Sequence, residues 1–318
     1  MTDMASRPST QAAGDDREDG VGTGRSAATL PPLVNPAPSA GLLEVFRRRY
    51  LLKLLVRREI SARYSGSFLG LLWSYLNPLS QFFIYFAIIG KIFALHRSVP
   101  NFAIHIFAAL VVVHFFTETF NAGTRSIVRN KAVVRKMAVP LEMFPVASMA
   151  VSLYHVGPQL VILTIASLAY GWTPDPVGIL AMVLALMISM LLGTALALVF
   201  SAFNVFFRDF SSMVNILTNF VRFGVPMIYS YTMVGERFGS FAPYYLLNPI
   251  ADAVLLMQRA FWTGTVEGDP GQPADFAAQN LPDHLILRGF VMVGVCVVLL
   301  GLAQLAFRAF ERKIPERI

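Results

Sequence analysis

A series of apolar windows, each about twenty residues or longer, constrains this chain more than any other feature. A helix that crosses the hydrocarbon layer of a bilayer needs ~20 predominantly apolar residues. Six windows reach that length: residues 68–95, 102–121, 143–170, 177–203, 212–231 and 285–307. Only 14% of the residues are charged, against roughly 25% in an average soluble domain. The pattern predicts an all-α polytopic membrane protein with six transmembrane helices.

The first forty residues have a different composition. Residues 1–40 are rich in Ala, Gly, Pro, Ser and Asp and lack an apolar run. Such a segment cannot bury enough apolar surface to order itself, and it does not have the pattern of a secretory signal. We therefore predict a disordered cytoplasmic tail over 1–40 and a membrane domain over 41–318.

The distribution of Lys and Arg predicts the orientation, because basic residues near span ends are retained on the cytoplasmic side. Basic residues cluster before the first span, between the second and third spans, and after the last span. The loop 232–284 instead has six acidic residues against two basic ones. Both termini are therefore predicted to lie in the cytoplasm. The chain itself is predicted to lie in the cytoplasmic (inner) membrane. The same asymmetry explains the net charge of +7 without a nucleic-acid partner.

The segment 42–64 is predicted to be an amphipathic helix at the membrane interface. Its apolar residues recur at helical spacing, as Leu43, Phe46, Tyr50 and Leu54. The segment also carries Arg57, Arg58 and Arg63 close to the first span. These arginines either anchor the topology or also bind an anionic lipid headgroup at the cytoplasmic surface.

The usual catalytic motifs are absent from the sequence. It contains no G-x-x-x-x-G-K-[ST] phosphate loop, no G-x-S-x-G elbow and no H-E-x-x-H. His114 and Glu118 lie four residues apart, but two ligands are too few for a metal site. We interpret them as a hydrogen-bonded pair within the membrane. The sequence predicts a chain that is not an enzyme and holds no metal or cofactor of its own.

Five segments carry a resemblance to a known family. The run LLVRREISARYSGSFLGLLWSYLNPL looks like the opening of the membrane subunits of ABC-type polysaccharide exporters. NKAVVRKMAVPLEMFP, FNVFFRDF, VPMIYSYTMV and LLNPIADAVLLMQRAFW resemble four later segments of that family, in the same order. The match runs from about residue 43 to the end and includes the span count. The chain is therefore identified as similar to the permease subunits of these exporters.

The resemblance implies an assembly and a cargo. Two copies of the permease would form the pathway, and two copies of a separate cytoplasmic ATPase would bind ATP and Mg and drive it. The cargo would be a surface polysaccharide linked to a polyprenyl pyrophosphate, of the O-antigen, cell-wall galactan or teichoic acid type. The loop between the second and third spans would dock on the ATPase through Arg129, Lys131, Arg135 and Lys136.

The resemblance also implies an external gate. The loop 232–284 would fold back as short external re-entrant helices that carry Tyr244, Tyr245, Phe261 and Trp262. An ordinary external loop is the alternative.

A pathway for a glycan needs polar atoms or amphipathic rings along a helix face, since hydrocarbon cannot replace the hydration of sugars. Two spans have such a face. The predicted pathway residues are Ser74, Asn77, Gln81 and Tyr85 in the first span and Asn215, Thr218, Arg222 and Tyr229 in the fifth. Polar residues in spans also hold helices together, and for Arg222 a structural pair with Glu118 is the alternative.

Two other functions remain open at this point. A polytopic glycosyltransferase would also act on polyprenyl-linked sugars, but it needs carboxylates near a membrane face, and the loop HRSVPN offers none. A proton-coupled transporter needs ionisable residues near the midplane. His114, Glu118 and Arg222 supply some, although the sequence shows no convincing internal repeat.

Overall fold

The described part of the chain is built from α-helices. A computed structural model describes residues 41–92, 99–137, 139–266, 276–311, 313–314 and 317, and no strand occurs among them. The predicted tail over 1–40 lies outside the described residues. The α-helices are α1 (Leu42–Arg47), α2 (Arg49–Tyr64), α3 (Trp73–Ile84), α4 (Phe102–Arg129), α5 (Lys131–Lys136), α6 (Met143–Ala169), α7 (Pro176–Phe206), α8 (Phe210–Phe223), α9 (Tyr231–Phe238), α10 (Ala242–Tyr245), α11 (Pro249–Val266), α12 (Phe276–Asn280) and α13 (Leu285–Glu311).

Four of the described helices, α4, α6, α7 and α13, are long and apolar enough to cross a membrane. They begin within a residue of the predicted spans, and α4 continues eight residues beyond the predicted end at 121. The chain is therefore a multi-pass membrane protein. The apolar window of α4 is 89% buried and that of α13 only 22%. This difference makes α4 the central helix, packed against α6, α7, α8 and α11, and leaves much of α13 exposed.

Small residues bring α4 and α7 into close contact. A Cβ atom added to Gly123 would lie 2.5 Å from the Cβ atom of Ala197, and one added to Gly193 would lie 3.0 Å from the side chain of Thr119. Helices in a membrane gain little from the hydrophobic effect between them, so close van der Waals contact at small residues is a main source of association. The glycines therefore set the spacing of this central pair.

The first predicted span, 68–95, is a composite in the structure. A short 3₁₀ turn at Gly70–Leu72 leads into α3, which continues as a π-helix over Tyr85–Ile92. Residues 93–95 lie outside the described part. Pro78 lies inside α3, where its missing N–H removes one backbone hydrogen bond. The segment is thus helical over most of the predicted length, with a changed winding beyond Ile84.

The fifth predicted span, 212–231, is shorter than expected. The helix α8 ends at Phe223, and α9 begins only at Tyr231. Pro226 explains the break, because proline lacks the N–H and pushes the preceding residue out of the helical region. The short helices α9 to α12 follow before α13. The count of six spans therefore stays a prediction.

The predicted interfacial helix over 42–64 is divided into α1 and α2, with the break at Arg48. Its predicted apolar stripe faces outward. Leu43 and Tyr50 are each 74% exposed, and Phe46 and Leu54 are exposed as well. The opposite face contributes Val45 and Leu55 to a small core with α6, α7 and α13.

Candidate functional site

Polar residues follow one face of the central helix α4. His114, Glu118, Asn121, Arg125 and Arg129 recur at intervals of three or four residues. This spacing places side chains on one face of a helix. We call these five residues the polar stripe. Each of them bonds to a different residue, and these partners lie on α2, α6 and α8. Together these bonds organise the candidate site.

Two members of the polar stripe form ion pairs with α2. Nη1 of Arg63 donates to Oε1 of Glu118 at 2.9 Å, and Nη2 of Arg129 donates to Oε1 of Glu59 at 2.6 Å. Glu118 and Arg129 are eleven residues apart, which is about 16 Å along a helix axis. The end of α2 therefore reaches well along α4. The structure thus pairs Glu118 with Arg63, whereas the sequence had offered Arg222 as its structural partner.

The predicted pathway residues of α8 lie against the polar stripe. Nη2 of Arg125 donates to Oδ1 of Asn215 at 2.8 Å, and Nδ2 of Asn121 donates to Oγ1 of Thr218 at 3.3 Å. Thr218 is buried, and Asn215 is exposed. These two hydrogen bonds join α4 to α8.

Three of the predicted pathway residues share one cavity. Gln81, Tyr85 and Arg222 line a space of about 190 Å³ together with Ile84, Leu110, Val113 and His114. Nδ1 of His114 is 2.7 Å from Nε2 of Gln159, which fixes the imidazole from the α6 side. We call this space the pathway cavity. Arg222 lies in the last turn of α8, because the helix ends at Phe223 and not in the middle of a longer span.

The remaining pathway residues of the first span point in different directions. The hydroxyl of Ser74 is buried and bonds to the hydroxyl of Tyr64, which also lies 3.2 Å from Nδ1 of His155. Asn77 is exposed. The predicted line of four is therefore divided, with Ser74 tied to α2 and α6 and with Gln81 and Tyr85 at the pathway cavity.

A larger cavity lies between α2, α4 and α6. Its volume is about 610 Å³, and its lining residues are Arg58, Glu59, Ala62, Arg63, Glu118, Asn121, Ala122, Arg125, Arg129, Asn130, Ser148, Val151 and Ser152. We call it the arginine cavity. Of the three arginines predicted to bind a headgroup, Arg58 and Arg63 line it, and Arg57 is an exposed neighbour on α2.

The predicted gate residues lie at the opposite end of α4, and most of them are packed. Trp262 is 1% exposed, and its Nε1 donates to the carbonyl of Pro100 at 2.7 Å. The ring of Phe261 stacks on Trp172 with centroids 5.0 Å apart. The hydroxyl of Tyr245 lies 3.1 Å from that of Tyr229, and Tyr244 is 67% exposed. The end of α11 is therefore part of the core, and Tyr244 lies at the surface.

A buried carboxylate lies in α11. Asp252 is 0% exposed, and Nε of Arg288 is 3.8 Å from its Oδ2. Burial raises the pKa of the Asp252 carboxyl to about 6, while the charge of Arg288 acts in the opposite direction. No group of three or more His, Cys, Asp or Glu side chains in the described part of the chain is arranged to hold a metal ion.

Comparison with known proteins decides the family. The model of the ABC-2 type transporter family matches residues 50–262. This range includes the polar stripe, nearly all of α2 and most of α11. The chain belongs to the ABC-2 type transporter family. This match confirms the resemblance that the five sequence segments indicated. The chain is thus a membrane subunit of a transporter.

Relatives of this ABC-2 transporter subunit have names that state a cargo. This chain is 27% identical over 275 residues to the O-antigen export system permease protein RfbA of Myxococcus xanthus. The alignment covers 86% of this chain and 98% of that protein. Two O-antigen export system permease proteins RfbA of Klebsiella pneumoniae are 24% and 22% identical over 216 residues. Each of these two alignments covers 68% of this chain and 82% of the relative.

The predicted ATPase-docking residues lie where α4 meets α5. Lys131, Arg135 and Lys136 belong to the short helix α5 and are exposed. Arg129 belongs to the last turn of α4, where it pairs with Glu59. Only Asn130 separates the two helices, and its Nδ2 also donates to Glu59 at 3.3 Å.

The polar stripe is not evident as a unit from the sequence motifs alone. His114 and Glu118 were predicted as a pair, and Arg129 was predicted as part of a basic docking loop. A signal was available, because the five polar residues keep helical spacing across the predicted end of the second span at 121. An average of hydropathy along the chain conceals such a face, since the apolar neighbours dominate each window.

Proposed function

We propose that this chain is the permease subunit of an ABC transporter that exports a polyprenyl-pyrophosphate-linked cell-surface polysaccharide. The cargo is of the O-antigen, cell-wall galactan or teichoic acid type. Two copies of the chain form the pathway in the cytoplasmic membrane, with both termini in the cytoplasm. Two copies of a separate ATPase bind ATP and Mg and drive export.

The observation that carries this proposal is the match to O-antigen export permeases over nearly the whole length of a relative. The Myxococcus xanthus protein is covered over 98% of its length, so the similarity is not confined to a shared fragment. The family is a transporter family, which favours transport over glycosyl transfer. The extension of the cargo to related surface polysaccharides rests on the common need for a polyprenyl-linked carrier.

The pathway cavity supports the proposal from the physical side. It places an amide, a phenol, an imidazole and a guanidinium together beside three apolar side chains. The polar groups belong to Gln81, Tyr85, His114 and Arg222, and the apolar ones to Ile84, Leu110 and Val113. Hydrogen-bonding groups of this kind can replace part of the hydration of a passing sugar.

The exposed face of α8 supports a second copy. Asn215, Asn219 and Arg222 are exposed on a helix that also exposes Phe220, which is 72% accessible. Polar groups on a membrane helix face the interior of a bundle or a watery cavity, because lipid cannot bond to them. A second copy of the chain that covers α8 would provide this environment and would place both copies of Arg222 beside a common pathway.

The remaining predicted residues receive roles in the same scheme. Arg58 and Arg63 would meet the anionic group of the carrier, with Arg57 at the lipid surface. The exposed basic residues of α5 would dock on the ATPase. Tyr244 and Tyr245 would lie beside the exit, whereas Phe261 and Trp262 would fix α11 beneath it.

Depletion of the protein in cells that make such a polysaccharide tests the proposal. Export is expected to stop, and the lipid-linked glycan should accumulate in the cytoplasmic leaflet with its chain completed. Reconstituted transport should require ATP and the ATPase subunit and should persist after the proton gradient is dissipated. Loss of glycan synthesis, or dependence of transport on the proton gradient, would instead favour a glycosyltransferase or a proton-coupled transporter.

A further inference from the structure

The arginine cavity has a composition that is unusual for a membrane helix bundle. Four arginines and two glutamates line it, with Arg58, Glu59 and Arg63 from α2 and Glu118, Arg125 and Arg129 from α4. The formal charge of this lining is therefore +2, from four positive and two negative groups. Its volume of about 610 Å³ lies within the ~300 to 1,000 Å³ that is usual for small-molecule sites.

The polar groups of the arginine cavity are only partly satisfied by the protein. The hydroxyl of Ser148 and Oδ1 of Asn121 are buried and have no hydrogen-bond partner among the described residues. Ser148 is 1% exposed. A buried polar atom without a partner costs free energy, so these two atoms indicate a ligand or ordered water in the cavity.

The arginines have donors to spare. A guanidinium has five N–H donors in a planar fork. The pair of Arg63 with Glu118 and that of Arg129 with Glu59 each use one such donor in a direct bond. Both arginines remain about half exposed, at 48% and 52%. Guanidinium groups bind phosphate oxygens through two parallel hydrogen bonds, which makes arginine the usual residue for phosphate recognition.

We infer that the arginine cavity binds the diphosphate group of a lipid-linked ligand, and that Glu59 and Glu118 compete with that group for the arginines. In the structure Glu59 pairs with Arg129 and Glu118 pairs with Arg63. A diphosphate offers more charge and more acceptor oxygens than either carboxylate. Its binding would therefore draw Arg129 away from Glu59 and Arg63 away from Glu118. The identity of the ligand as the carrier's diphosphate rests on the proposed function.

If the carboxylates compete with the ligand, two substitutions should change the diphosphate affinity in opposite directions. Arg58→Gln removes a cationic donor from the cavity without breaking either of the two described ion pairs. Its diphosphate affinity should fall about tenfold, as expected for loss of a hydrogen bond to a charged group. Glu118→Gln removes a competitor of the ligand and frees Arg63, so affinity should rise. A purely structural role of these residues would not produce an increase.

Calorimetric titration of the purified permease–ATPase complex tests the inference. The probes are farnesyl diphosphate, inorganic pyrophosphate and farnesol, and Arg49→Gln is the matched control because Arg49 is an exposed arginine at the start of α2. We expect farnesyl diphosphate to bind, farnesol not to bind, and the two cavity variants to shift affinity in opposite directions. Binding of pyrophosphate as well would assign the site to the diphosphate group itself. Its failure to bind would show that the prenyl chain is required, which supports a lipid-borne source.

Several outcomes would overturn the inference, and they differ from failure of the proposed function. Equal binding of farnesol and farnesyl diphosphate, or affinities in Arg58→Gln and Glu118→Gln that match those of Arg49→Gln, would exclude a diphosphate site here even if export remains ATP-dependent. Loss of the ATPase from the complex in Arg58→Gln, with diphosphate affinity unchanged, would make the cavity a docking site for the ATPase. Thermal unfolding of each variant, measured in parallel, identifies any change that results from misfolding.

Discussion

Replacement of Arg222 by glutamine tests the pathway cavity directly. Arg222 lines that cavity with Gln81, Tyr85 and His114, and Glu118 already pairs with Arg63 at 2.9 Å. If the guanidinium serves passing glycan and not the fold, Arg222→Gln should slow export and leave the protein stable. The change keeps a polar side chain, although a shorter one, and removes the charge.

The expected magnitudes follow from the position of Arg222. Arg222 lies in the last turn of α8, where a basic residue gains ~0.3 to 1 kcal/mol from the helix dipole. Removal of the charge therefore costs the fold at most ~1 kcal/mol, and the thermal midpoint should change little. Export should fall about tenfold, which corresponds to one lost charge-assisted hydrogen bond of ~1.4 kcal/mol or more.

The assay combines two measurements on the same variants. Export is followed as glycan that reaches the cell surface, and stability as the thermal midpoint of the purified complex. Arg237→Gln is the matched control, since Arg237 is an exposed arginine at the end of α9 and should change neither quantity. A lower midpoint in Arg222→Gln that returns to the wild-type value in Arg222→Gln with Glu118→Gln would refute the reasoning, because it would reveal a structural pair.

Three further predictions concern other parts of the chain. Trp262→Ala should destabilise the fold by about 3 to 5 kcal/mol, as for other buried large-to-Ala changes, and should lower the thermal midpoint, whereas Phe238→Ala, at a side chain that is 60% exposed, should not. Because burial raises the pKa of Asp252 to about 6, above the ~3.9 of an unfolded Asp, the free energy of unfolding should fall as pH rises from about 4 to about 6; Asp252→Asn should flatten that part of the stability profile, and an unchanged profile would exclude a titrating carboxyl. Charge reversal at Arg135 and Lys136 should uncouple ATP hydrolysis from export, since charges at the rim of an interface set partner complementarity, and unchanged substrate-stimulated hydrolysis in this double variant would contradict a docking role.

Helix positions were predictable from the sequence wherever apolar length alone decides the structure. The start of α6 at Met143 and that of α13 at Leu285 coincide with the predicted starts. The early end of α8 was also encoded, in Pro226, but the prediction followed hydropathy across the proline. The length of a span is thus less reliable than its presence where a helix-breaking residue lies inside an apolar run.

The partners of polar residues were not predictable, because they depend on which helices become neighbours. Helical spacing grouped Asn215, Thr218 and Arg222 as one face of α8, yet the first two bond to α4 and the third lines the pathway cavity. In the same way, Glu118 lies four residues from His114 but pairs with an arginine 55 residues earlier in the chain. Periodicity assigns a residue to a face, and tertiary packing then decides what that face contacts.

The polar stripe gives the proposed functions a common physical element. Residues of α4 and α2 together line the arginine cavity. Asn121 and Arg125 of α4 also bond to the pathway residues of α8, and α5 follows α4 after Asn130. Glu59 accepts hydrogen bonds from both Arg129 and Asn130, so the carboxylate that would compete with a diphosphate also holds the junction of α4 and α5. Displacement of Glu59 by a ligand would therefore loosen the junction next to the proposed ATPase-docking helix. The apolar window of α4 is 89% buried, so such a change would not pass through the packed centre of the bundle. It would instead act at the end of α4 near Arg129 and along α2, where side chains are exposed.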